Sequence, residues 1–247
     1  MPTAAVQDSI EPTAPSPERR RLFKTLAILP VAAGAAALGG CEADTRAGAA
    51  AAPAPYRPSF FDAAEWTALG AIADRLVPRD DVGPSATDLG VPEFLDRHMQ
   101  TPYAAGDIWY RQGPFLDASA NFGYQGRLAL REILKVGLGA LQAHVARAFG
   151  GGKTFATLAP ADQDAVLKGA EAGTLKWPEI SDKLFFAHLL NEVRNGCFAD
   201  PRHGGNRDMG GWKMIGYPGM RADYLDWVGV RDRPYPIPPV DLAGRRG

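Results

Sequence analysis

Four histidines and two cysteines are the imidazole and thiol supply of this 247-residue chain, and their spacing decides which metal or nucleophilic chemistry is within reach. His98, His144, His188 and His203 include no pair at the one-turn spacing by which a helix offers two ligands to a metal, and a metal needs two to four converging groups. His188 and Glu192 stand one helical turn apart, so imidazole and carboxylate could hydrogen-bond; the pair reads as a histidine orienting its neighbour at a surface or interface. No Cys-x-x-Cys-His occurs, which excludes covalent c-type haem attachment within this chain. Gly137-Leu138-Gly139 lies inside a helical pattern and lacks the third glycine of a dinucleotide-binding turn. Gly-x-Ser-x-Gly, a phosphate-binding loop and His-Glu-x-x-His are also missing from the sequence. No catalytic, cofactor-binding or metal-binding residue is therefore expected. Cys197, in an apolar helical setting, reads as a small buried hydrophobe.

Aromatic side chains are the richer signal. Trp109, Tyr110, Phe115, Phe122 and Tyr124 crowd one stretch, and Trp212, Tyr217, Tyr224 and Trp227 crowd another. Such loops close over a ligand, build a protein interface, or anchor themselves by packing down, and the residues alone leave these readings open. Between the two groups, Ala199 to Gly219 spends six glycines and two prolines in 21 residues. That stretch must turn repeatedly and bring its backbone close to something. Asn206, Arg207 and Asp208 at its centre supply an amide, a fork of donors and a carboxylate, suited to capping backbone groups or to pairing across an interface.

The elements that must position these groups follow from hydrophobic periodicity. Asp62 with Glu65 predicts a capping box, followed by a helix with Trp66, Leu69, Ile72, Ala73 and Leu76 on one face and Pro78 beyond its end. Val91-Pro92-Glu93-Phe94 starts a short helix with proline in its first turn. A loop rich in aromatics and glycine runs from Thr101 to about Gly126. Leu130, Ile133, Leu134, Leu138, Leu141, Val145 and Phe149 predict the strongest helix, ended by Gly150-Gly151-Gly152. Further helices are expected from Pro160 to about Gly173 and from about Ser181 to Phe198, the latter turning Leu184, Phe185, Leu189, Leu190 and Val193 inward. Almost nothing alternates with the strand period. The fold class is thus mainly α: a single domain, residues 59–230, of about five or six helices with long Gly/Pro/aromatic-rich loops. Residues 231–247 form a proline-rich tail suited to wrapping a partner.

The N-terminal region has a different character. Arg19, Arg20 and Arg21, followed by Leu22, Phe23 and Lys24, precede an apolar core from Leu26 to Leu38, which is 13 residues long and contains Pro30 and Gly34. A membrane-spanning helix needs about 20 apolar residues, so this core is too short for a permanent anchor. The order of polar stretch, arginine cluster and short core resembles a twin-arginine export signal, used by proteins that cross the membrane folded. Leu38-Gly39-Gly40-Cys41 resembles a lipobox, making Cys41 a candidate for lipidation; cleavage among the alanines around Ala49 to Ala52 is the competing reading. Residues 1–41 are thus the signal, and 42–58, loaded with Ala and Pro, read as a linker. A periplasmic, membrane-associated location follows as an expectation. With 27 basic against 28 acidic residues and a formal charge of −1, the chain has no cationic surplus for a nucleic-acid backbone.

The string GGNRDMGGWKMIGYPG, residues 204–219, with the preceding FADP, resembles the signature of the gluconate 2-dehydrogenase subunit 3 family. FFDAAEWTALGAIADRLVP, GVPEFLDRHM, WYRQGPF and GYQ are similar to the same family in the same order, so the resemblance runs from about Phe60 to Tyr224. It implies a mainly helical small subunit of a membrane-bound dehydrogenase complex acting on sugars or sugar acids. In such complexes the large subunit carries FAD and a multihaem cytochrome c subunit passes electrons onward. The small subunit holds no cofactor and assists maturation and export of the large one. The alternative is a periplasmic sugar-acid-binding lipoprotein, or a small stand-alone enzyme, with its pocket between the two aromatic loops.

Overall fold

The computed structural model describes residues 56–109, 111–116 and 119–247. Arg19, Arg20, Arg21 and Phe23 of the export signal, the lipidation candidate Cys41, and Tyr110 lie outside them. Among the described residues there are seven α-helices and no strand, only isolated bridges at Gly219, Val240 and Arg246.

Helix α1 (Ala63–Leu76) begins with the expected capping box: the Asp62 carboxylate accepts from the Ala64 and Glu65 amides, each at 2.8 Å, and the Glu65 carboxylate accepts from the Asp62 amide at 2.9 Å. Two orphan N–H groups of the first turn are thereby satisfied. Helix α2 (Val91–His98) carries Pro92 in its first turn. Helix α3 (Pro102–Ala105) is one turn capped by the Thr101 hydroxyl, inside the stretch expected to be loop; four residues are too few to show a helical period. Helix α4 (Leu130–Phe149) is the longest, α5 (Pro160–Ala172) ends at Gly173, and α6 (Asp182–Phe198) starts at Ser181, whose hydroxyl accepts from the Leu184 amide. Helix α7 (Gly210–Met214) is a second short element that the glycine content conceals.

Helix α6 is the centre of the packing, lying against α2, α4 and α5. Phe185 and Leu189 on α6 are fully buried with Leu134, Leu138 and Leu141 of α4 and Leu69 and Ile72 of α1. Of the inward set expected on α6, Phe185, Leu189 and Val193 are buried, whereas Leu184 and Leu190 are half-buried at its edges and Phe186 is buried in addition. Phe185 sits directly on Gly137 of α4, where a β-carbon would collide with its ring. Gly139, two residues on, faces open space.

The chain entering the domain is held by one carboxylate. Asp96 of α2 is completely buried, and its two oxygens accept from the Tyr56 hydroxyl (2.8 Å), the amide and hydroxyl of Ser59 (3.0 and 3.2 Å), and the amides of Phe60 and Phe61 (3.0 Å each). Tyr56 falls in the stretch expected to be linker, yet it is bonded into the domain. Burial raises the Asp96 carboxyl pKa, but donation from the Phe61 and Ser59 amides, the Tyr56 hydroxyl and the Phe60 amide outweighs it, and the group rests below the usual carboxylate range. Burial and the bond to Asp96 push the Tyr56 phenol up to about 12. At the other end, the tail folds back on the chain: the Met220 amide donates to the Val240 carbonyl (2.7 Å), the Leu242 amide to Asp200 (2.8 Å), and buried Asp241 pairs with Arg245 (2.6 Å). The tail expected to wrap a partner is occupied in part with its own domain.

Two tests follow. Helix propensity alone favours alanine over glycine by about 1 kcal/mol at an interior position. Gly139→Ala should realise most of that gain, whereas Gly137→Ala should lose about 1–3 kcal/mol because the rigid Phe185 ring cannot retreat; urea titrations of both variants check the opposite signs. For Asp96, the depressed folded pKa means its contribution is complete above the unfolded value near about 4 and is lost as pH falls through the lower folded value. Asp96→Asn, which turns an NH2 toward N–H donors, should cost about 2 kcal/mol at neutral pH and flatten this acid limb in melting curves from pH 2 to 7.

Candidate functional site

The stretch from Ala199 to Gly219 exists to finish α6. The last carbonyls of a helix have no intrahelical partner, and here the loop supplies the donors. The Asn206 amide donates to the Gly196 carbonyl (2.9 Å), Asn206 Nδ2 to the Ala199 carbonyl (2.9 Å), and Trp212 Nε1 to the Phe198 carbonyl (2.7 Å). Asn206 Oδ1 in turn accepts from the Gly211 amide (2.8 Å), so one buried side chain joins the loop's two limbs. Gly205 and Gly211 press against the Gly196 and Cys197 carbonyls, leaving no room for a β-carbon. Asn206 itself sits in the left-handed region at φ 46°, tolerable for Asn among non-glycine residues.

Of the other residues singled out in this loop, Arg207 donates to Glu93 of α2 at 2.7 Å while its amide bonds the Leu89 carbonyl, Asp208 is exposed, and Tyr217 packs edge-on against buried Trp212 with centroids 5.2 Å apart. Asn206, Arg207 and Trp212 are therefore brought together on α6 and α2. Trp109 stands apart from them, half-exposed beside Tyr103. Trp109, Phe115 and Tyr124 of the first aromatic stretch line one cavity, whereas a second, bounded by Met209 and Lys213 with the C-terminal arginines, has no aromatic residue in its lining.

A third cleft, about 630 Å³, opens between α2, α3 and α6. His98 lies in its wall, stacked between the rings of Phe94 (5.3 Å) and Tyr103 (5.4 Å). Behind it Glu192 is almost wholly buried. Its Oε1 accepts weakly from the side-chain amides of Asn195 (3.2 Å) and Asn191 (3.4 Å), while Oε2 has no hydrogen-bond donor and faces His98 Nε2 at 3.5 Å. The sequence suggests His188 as the partner of Glu192; instead His188 meets Tyr124 edge-on, and the helix spacing that aligns His188 with Glu192 does not see a residue on another helix. A lone histidine at the C-terminal end of a short helix was the available signal for His98, and it was too common to single out. Burial raises the Glu192 carboxyl pKa, the two asparagine amides opposing, and burial lowers the His98 and His188 imidazoles. Burial also pushes the Cys197 thiol up to about 11, consistent with an inert packing role. Among the described residues, no three His, Cys, Asp or Glu side chains converge as a metal site would require. What the cleft offers is hydrogen bonding, one positive charge and aromatic surface.

Asn206→Ala removes two side-chain bonds and strains φ; about 3 kcal/mol of stability should be lost, and Asn206→Gly, which relieves the backbone only, should lose less. Trp212→Phe should cost about 1 kcal/mol in the same chemical melts. For Glu192 the sign is reversed relative to Asp96: a raised folded pKa favours folding below the unfolded value near about 4 and costs stability as pH rises through the folded value. Glu192→Gln should therefore melt higher than the parent at pH 8 and no higher at pH 4.

Comparison with curated proteins and with solved structures finds no match. A family comparison does: residues 63–219, from the first turn of α1 to the end of the glycine-rich loop, match gluconate 2-dehydrogenase subunit 3. With the match covering well over half of the chain, this protein belongs to the gluconate 2-dehydrogenase subunit 3 family.

Proposed function

We propose that the chain is a non-catalytic accessory subunit that binds the FAD-bearing large subunit of a sugar or sugar-acid dehydrogenase in the cytoplasm, supports its maturation, and is exported with it by the twin-arginine route. The observation that carries this reading is the family match over residues 63–219, which makes the chain a subunit of a dehydrogenase complex. Support comes from the sequence: the export-like arginine cluster implies cargo that folds before crossing, while the chain carries neither a dinucleotide-binding turn nor a haem-attachment motif. The folded cargo is then another polypeptide. A multihaem cytochrome c subunit completes the electron path, and the complex resides at the periplasmic face of the membrane, held through the partners or through lipid on Cys41.

Surface composition agrees with a partner-binding role. Trp109, Phe115, Leu116 and Phe122 are large apolar side chains exposed on one stretch, a grouping suited to a partner surface.

Replacing Arg19, Arg20 and Arg21 by lysine should trap both subunits in the cytoplasm, read by cell fractionation and dye-linked dehydrogenase activity. Deleting the gene should lower periplasmic dehydrogenase activity by about tenfold or more. A large subunit that is exported, folded and active without this chain would end the proposal.

A further inference from the structure

The cleft between α2, α3 and α6 has the chemistry of an interface waiting for a carboxylate. Arg194 lies along its α6 wall, exposed, with no ion pair or hydrogen bond among the described residues, and no acidic side chain lines the cleft. The acidic group nearby, Glu192, is buried behind the wall, and its oxygen Oε2 has no donor. A buried carboxylate oxygen without a donor is costly. The nearest donor is His98 Nε2 at 3.5 Å, once that nitrogen carries a proton. The Nε2–H tautomer of neutral His98 would complete Glu192; an imidazolium, which burial disfavours, would also add a second positive charge to the wall beside Arg194, and an arriving carboxylate offsets that penalty. His203 is the other titratable group that acts on His98, and it opposes the charge.

The shape and the rim decide what kind of molecule brings the carboxylate. The cleft is an open trough, whereas small-molecule sites enclose most of the ligand's surface. Its lining includes half-exposed Tyr103 and Phe198, and Tyr103 is in turn met edge-on, at 5.1 Å, by Trp109 of the neighbouring cavity. Tyr and Arg, grouped here around a recess, are among the side chains that dominate binding energy between proteins. Asn191 and Asn195, one turn apart on α6, add amides that can meet a peptide backbone as donor and acceptor.

We propose that this cleft grips an extended, carboxylate-bearing segment of the dehydrogenase large subunit, with Arg194 as the charge anchor and Tyr103 and Phe198 as the aromatic contacts. The inference rests on the accessory-subunit reading and names the surface through which it acts. The asparagine pair, held by Glu192, fixes the path of the bound strand.

The test is capture of the large subunit on tagged, full-length chain from membranes, for the parent, Arg194→Glu and Arg194→Lys. A photo-crosslinking residue at position 195 supplies the second readout. Recovery should fall about tenfold or more for R194E and substantially less for R194K, with the melting transition little changed because exposed Arg194 makes no ion pair or hydrogen bond among the described residues; the crosslink should map to a segment of the large subunit containing Asp or Glu. Full recovery with R194E, or a crosslink that never reaches the large subunit, overturns the inference while leaving the accessory function standing. A parent chain that captures no dehydrogenase overturns both. Sodium gluconate titrated into the isolated subunit is the remaining arm: binding heat abolished by R194E, with complex recovery intact, would assign the cleft to a small acid and overturn the proposal.

Discussion

The C-terminal turn of α6 sets the constraint on which the rest of the structure depends. The final carbonyls of a helix have no partner within it, and at the end of a central helix packed against a loop they need donors from that loop. The chain answers with a loop that turns back at once, lays Gly205 and Gly211 against those carbonyls and inserts Asn206 and Trp212 as donors. Because α6 also supplies the core contacts to α2, α4 and α5, a frayed end would loosen all three interfaces. The same closure fixes the near edge of the cleft, since Asn195, Phe198 and Ala199 belong to the turn being capped. Capping and site geometry are thus one problem with one solution.

Two buried carboxylates show how satisfaction, more than burial, sets their character. Asp96 and Glu192 are equally hidden from solvent, yet Asp96 collects donors on both oxygens and is stabilised as an anion. Glu192 has two weak donors on one oxygen and none on the other, and its anion is disfavoured. The first is a fastening that ties the chain's entry to α2. The second leaves unspent hydrogen-bonding capacity beneath a cleft whose only charged lining residue is positive.

Much of the helical framework was legible because long amphipathic segments carry redundant signals. The cap at Asp62, the proline at 92 and the apolar repeat from Leu130 to Phe149 each mark a boundary or a face locally. Helices α3 and α7 were not legible, since a single turn has no period and glycine argues against helix. The glycine-rich loop announced close backbone approach but not its target. The pairing of Glu192 with His98 was hidden for a similar reason: helical spacing reveals neighbours on one element, and His98 arrives from another.

Sequence by itself determined the helical class, the main boundaries, the family and the lack of familiar cofactor motifs, all of which are written in local spacing and residue type. Only tertiary structure decided that Asn206 and Trp212 serve the end of α6, that Asp96 gathers the entering chain, that the tail returns to Asp200 and Pro218, and that Arg194, without an ion pair among the described residues, lines a cleft beside His98. Those relations join residues far apart in the chain, and they arise from which helix faces bury together, a choice made by the sum of the packing and not by any one segment.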